Sequence, residues 1–106
     1  MKIFKDLVFK DRAHGGIGAH HKFDNGFEIS VQAGSLNYST PRENLKSPDD
    51  FTSFEIAVFG PNGDFVTKDF VLGITGRMSY DDLVLGWQNR GQINALMLLI
   101  QSTKNK

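Results

Sequence analysis

The stretch Phe23-Asp24-Asn25-Gly26-Phe27-Glu28-Ile29-Ser30-Val31-Gln32 decides how this chain is read. Phe27, Ile29 and Val31 alternate with Glu28, Ser30 and Gln32, the period-two pattern of a strand with one buried face. Asn25-Gly26 ahead of it is a hairpin turn signal that fits two loop lengths. A two-residue loop puts Phe23 opposite Glu28 and mixes apolar with polar. A three-residue loop, Asp24-Asn25-Gly26 with Gly26 left-handed, sets Phe23 opposite Phe27, His21 opposite Ile29 and Ala19 opposite Val31. It also sets Lys22 against Glu28 on the polar face. A slip of one residue inverts every side chain, so the sorting selects the three-residue loop.

Working outward, residues 51–59 read as the central strand, with Phe54, Ile56 and Val58 on one face. Ala57 and Phe59 make its other face partly apolar, so a cover is expected there. Gly60-Pro61-Asn62-Gly63 is a second turn, proline suiting the first central position and glycine the left-handed one. With Pro61-Asn62-Gly63 as the loop, Phe59 faces Phe65, Val58 faces Val66 and Phe54 faces Phe70. Leu7-Val8-Phe9 suggests a short first strand, and Gly15, Gly16 and Gly18 mark a glycine-rich turn leading into the next. Residues 34–50 are polar and aperiodic, a long connection that Tyr38 and Leu45 tack to the body.

Two capping patterns follow. Ser79-Tyr80-Asp81-Asp82 predicts a short helix through Leu85, stopped by Gly86. Asn89-Arg90-Gly91-Gln92 predicts a longer one, with Ile93, Leu96, Met97 and Ile100 at helical spacing. Lys104 and Lys106 suit its negative end. The expected fold is a single α+β domain over residues 1–106. Its antiparallel sheet has about five strands, in two hairpins, packed against the C-terminal helix.

Composition narrows the function classes. Twelve basic and twelve acidic residues give zero net charge, without the basic excess of a nucleic-acid binder. Near-zero charge also removes one barrier to a homo-oligomer. The chain has no cysteine, which fits a reducing compartment. Met1–Asp6 lacks a signal-like apolar run, and the longest run, Ala95–Ile100, is too short to span a membrane. A cytoplasmic protein with no membrane partner is expected. Nine phenylalanines can bury much apolar area in a thin core.

No motif commits the chain to catalysis, a metal or a cofactor. His14, His20 and His21 cluster in sequence; His20 and His21, neighbours on a strand, point to opposite faces and do not readily share an ion, whereas His14 with one of them is geometrically possible. They also lack a partnered nucleophile. His14-Gly15-Gly16-Ile17-Gly18 could present amides to an anion, but the lysine and serine or threonine of a phosphate loop do not follow. The candidate ligand set is therefore His14, Gly15, Gly16, Lys22, Arg77 and Arg90. The candidate partner set is Tyr38, Arg42 and Lys46 from the long connection, with Tyr80 and Trp87. Arginine beside tyrosine and tryptophan is the composition of interface hot spots. Core packing of Trp87 and of the phenylalanines competes with these readings.

Gly15-Gly16-Ile17, Phe23-Asp24-Asn25-Gly26-Phe27, Ser30-Val31, Phe54-Glu55-Ile56-Ala57-Val58, Val84, Gly86 and Trp87 together resemble small proteins of tailed bacteriophages. That family has no assigned activity. The resemblance implies a phage accessory protein acting in the host cytoplasm. The leading expectation is a non-enzymatic binder of a host or defence-system protein, of the inhibitor or anti-defence type. The alternatives are a nucleotide- or anion-sequestering protein and a structural or assembly accessory protein.

Overall fold

The computed structural model describes residues 1–13, 15–70, 77–79 and 84–103. Its strands are β1 (Lys10–Asp11), β2 (Ile17–Lys22), β3 (Glu28–Ala33), β4 (Phe54–Phe59), β5 (Arg77–Ser79) and β6 (Val84–Gln88), followed by helix α1 (Arg90–Gln101). They form one six-stranded antiparallel sheet in the order β1-β2-β3-β4-β6-β5, an α+β fold with the central strand where the sequence places it.

The first hairpin closes as the side-chain sorting requires. Phe23 N donates to Phe27 O at 2.7 Å, and Gly26 takes φ +92°. Lys22 pairs with Glu28, His21 with Ile29 and Ala19 with Val31. The apolar members of these pairs, with Phe54, Ile56, Val58 and Leu85, make one buried face of the sheet. Ile93, Leu96, Met97 and Ile100 of α1 cover it.

Both ends of the helix are tied. Asn89 Oδ1 accepts from Gln92 N, and Gln92 Oε1 accepts from Asn89 N, each at 2.8 Å, the expected capping box. At the other end Asn25 Nδ2 donates to Ile100 O and Thr103 O, both at 2.8 Å. The hairpin turn thereby satisfies carbonyls that a helix C-terminus leaves open. Lys104 and Lys106 lie outside the described residues.

Three expectations are corrected. Leu7–Phe9 is not a strand; a 3-10 turn at Phe4–Asp6 precedes it, closed by Ile3 N donating to Asp6 Oδ2 at 2.9 Å, and pairing begins at Lys10. Phe4 and Phe9 instead stack near Phe54, at 5.0 and 5.8 Å between centroids, and burial of the rings outweighs strand propensity. The second hairpin keeps its loop, with Gly60 N to Asp64 O at 2.8 Å and Phe59 opposite Phe65. Val66 N donates to Val58 O at 2.8 Å, as the register requires, and the ladder stops at that pair, because Val58 N donates to the Thr67 hydroxyl at 2.9 Å and residues Thr67–Phe70 turn into a 3-10 helix. Phe70 packs edge-on to Phe27 at 5.6 Å, while Phe54 pairs with Gln88.

The third correction concerns Ser79–Leu85. Arg77–Ser79 and Val84–Gln88 are paired strands, and the described residues there include no helix; Tyr80–Leu83 lie outside them. Pairing Leu85 with Ile56 buries Leu85 and fills the open edge of β4, which a one-turn helix could not do.

The long connection is an ordered cover. Thr40 bridges Ser53, Ser47 caps a 3-10 turn at Pro48–Asp50, and Leu45 packs against the core. Among the described residues no helix is long and apolar enough to cross a membrane.

Candidate functional site

Opposite the helix, the second face of the sheet is covered at one end by the 34–50 connection. Arg12 Nη1 donates to Asn37 Oδ1 at 2.6 Å, and Asn37 Nδ2 donates to Glu55 Oε2 at 2.7 Å. Tyr38 N donates to the same carboxyl oxygen at 3.3 Å. This chain of charge-assisted bonds anchors Asn37-Tyr38 over the central strand.

Anchored in this way, Tyr38 meets β6. From Phe54 to Ile56 on β4 is two steps, but from Gln88 back to Leu85 on β6 is three, so β6 carries a bulge. Trp87 sits in it with φ +55°, a left-handed conformation that costs a non-glycine residue about 1–2 kcal/mol. Its amide donates to Tyr38 O at 2.9 Å. The bulge lets both Leu85 and Gln88 face inward and turns Trp87 outward, 40% exposed. Gly86 makes the approach feasible: a Cβ there would stand 2.7 Å from the Cβ of Tyr38.

The result is a layered stack. The Tyr38 and Trp87 rings lie 4.8 Å apart with a 31° tilt, and the Arg42 guanidinium carbon sits 5.0 Å from the Tyr38 centroid. Three residues of the candidate partner set therefore come together from two remote segments. Lys46 is exposed on the same connection, and Tyr80 lies outside the described residues.

The candidate ligand set does not assemble. Gly15 and Gly16, at φ +94° and +77°, form the turn before β2, with Gly15 N donating to Arg12 O at 3.1 Å. Gly16 lies so close to β3 that a Cβ would stand 2.3 Å from Ala33 O, so its freedom serves packing. Lys22 is at the far end of β2, roughly 17 Å along the strand. Arg77 is on β5, four strand spacings from β2, roughly 19 Å across the sheet. His14 lies outside the described residues.

Arg90 serves the scaffold. Its guanidinium donates to Phe51 O at 2.9 Å and to Pro48 O, and lies 5.0 and 5.3 Å from the Phe4 and Phe54 centroids. It also approaches Asp49 at 3.7 Å. His20 and His21 diverge as strand geometry demands: His20 Nδ1 is 3.2 Å from Glu28 Oε2, whereas His21 lies edge-on to Phe23 at 4.8 Å. No group of three or more potential metal ligands occurs among the described residues.

Neither Asn37 nor Glu55 belongs to the candidate ligand or partner sets. A charged residue in the apolar run Phe54-Glu55-Ile56-Ala57-Val58 was the available signal, because a buried carboxyl requires partners. No protein-family model, curated protein or solved structure gives a significant match to this chain.

Proposed function

We propose that the protein is a non-enzymatic binding protein that engages a protein partner through the Arg42–Tyr38–Trp87 stack. The observation carrying this reading is Trp87, held exposed in a strained left-handed backbone by a bulge and by a bond to Tyr38. Strain retained around an outward-facing indole is the signature of a side chain positioned for contact. Arginine, tyrosine and tryptophan are also the residue types enriched at interface hot spots. The phage resemblance directs the search to bacterial host proteins, including defence components, with inhibition as the expected consequence.

The test is comparative capture from bacterial lysate with the intact chain, Trp87→Ala, Arg42→Ala and Phe65→Ala. A partner retained by the intact chain and by Phe65→Ala, but lost from Trp87→Ala and Arg42→Ala, supports the reading. Equal retention by all four rejects it.

A further inference from the structure

We propose that the open face of the sheet, opposite the helix, is a binding site for a guanine nucleotide. The site follows from cross-strand register. Lys10 stands opposite Gly18, Gly18 opposite Gln32 and Gln32 opposite Glu55, one row across β1, β2, β3 and β4. His20, Ser30 and Ala57 make the next row on this face, and Lys22, Glu28 and Phe59 the one after. Directly opposed residues point to the same side, so each row is a surface track.

Two clefts lie on these tracks and share His20 and Gln32. One, about 530 Å³, is lined by Lys10, Arg12 and Gly18, with Val8 and Asp11. The other, about 210 Å³, is lined by Ser30, Glu55, Ala57, Phe59, Phe65 and Val84, with Ile56 below. The larger lies within the roughly 300–1,000 Å³ of small-molecule sites, and the smaller, below that range, borders it at His20 and Gln32. From β1 to β4 the groove crosses three strand spacings, roughly 14 Å between backbones. That length suits a base with its ribose and phosphate better than a bare base.

The chemistry of the ends sets the orientation and the base. Glu55 is 7% exposed; Oε2 is occupied by Asn37 and Tyr38, while Oε1 has no hydrogen-bond partner among the described residues. No cation pairs with it directly there; Arg12 reaches it only through Asn37. A buried acceptor left open is costly and calls for a donor. Guanine offers N1–H and N2–H side by side on one edge. Adenine sets a bare N1 lone pair beside its amine, which the carboxyl oxygen repels. Phe65, 46% exposed and 4.6 Å from Phe59 between centroids, supplies a ring face for the base. Lys10, at the β1 end of the row, meets the phosphate, while Arg12 Nη1 stays bonded to Asn37 and His20 lines both clefts between the two ends. Asp11 is the acidic group of that cleft, and Glu28 holds His20 Nδ1 at 3.2 Å.

Calorimetric titration of the full chain with GMP, AMP, IMP and guanosine tests the assignment. GMP binds about tenfold or more tightly than AMP, because guanine gives the open oxygen two donors whereas adenine gives it one beside a lone pair. IMP, which lacks the N2 amine, falls between them, and guanosine binds more weakly than GMP by a salt-sensitive factor. Glu55→Gln removes the preference for GMP, and Lys10→Ala brings GMP toward guanosine. Phe65→Ala changes an exposed ring and keeps the fold, yet weakens every ligand; it guards against a Glu55→Gln chain that fails to fold. Trp87→Ala leaves GMP affinity unchanged, so the partner surface and this site are tested separately. Absence of GMP binding at millimolar concentration, equal affinity for AMP, or an undiminished GMP preference in Glu55→Gln overturns the proposal.

Discussion

Trp87 and Tyr38 hold each other twice: their rings lie 4.8 Å apart, and the Trp87 amide donates to the Tyr38 carbonyl at 2.9 Å. The two residues come from segments that share no local pattern, and what joins them is the central strand. Glu55 accepts from the Tyr38 backbone amide, and the bulge opposite Glu55, between the Phe54 and Ile56 pairs, turns Trp87 outward.

Backbone strain at position 87 separates conformation from contact. Trp87→Gly and Trp87→Ala lose the same ring packing, but only glycine is relaxed at φ +55°. Urea unfolding should find the glycine variant more stable than the alanine variant by about 1 kcal/mol.

Gly86 tests how tightly the stack depends on close approach. Gly86→Ala brings a Cβ to 2.7 Å from Tyr38 Cβ. It should displace the tyrosine, lower stability by about 1–3 kcal/mol and reduce partner binding. Gly63→Ala, at φ +88° with open space around it, should cost only the conformational term of about 1–2 kcal/mol and leave binding intact. Unfolding curves and binding isotherms of the pair check both statements.

Asn25 carries a long-range duty beyond its turn. Its amide satisfies the carbonyls of Ile100 and Thr103. Asn25→Asp replaces that donor with an acceptor at the negative end of a helix. Stability at neutral pH should fall by about 2–3 kcal/mol, with amide exchange fastest in the last helical turn.

Arg90 should behave as a structural residue. Removing its guanidinium leaves Phe51 O and Pro48 O without their donor and uncovers Phe4 and Phe54. Arg90→Ala should lose about 2–3 kcal/mol of stability in denaturant unfolding. GMP affinity of the folded fraction should be unchanged.

The legible parts of the fold were those whose information is local or sorted by face. Asn25-Gly26 and the alternation after it specify one register, and Asn89 with Gln92 marks a helix start whose apolar spacing names its buried face. Ser79–Leu85 was illegible because a capping pattern describes only local preference, whereas Leu85 is placed by pairing with Ile56 far away in sequence. Phe54 and Phe70 were matched by extending a ladder that the Thr67 hydroxyl terminates. Tyr38, Arg42 and Trp87 could be chosen by residue type, but their convergence depends on a bulge and on Glu55. The open-face groove depends on the order of four strands, of which the hairpins revealed only neighbours.

The central claim is that a protein partner docks on the Arg42–Tyr38–Trp87 stack. Trp87 is the chain's only tryptophan, so labelling with 5-fluorotryptophan places a single fluorine reporter there. The measurement is its fluorine NMR spectrum with and without the captured partner. Docking on the stack predicts a shifted, broadened resonance that loses its solvent-isotope sensitivity as the indole is buried. A partner that binds while the resonance keeps its position and solvent exposure would contradict the account.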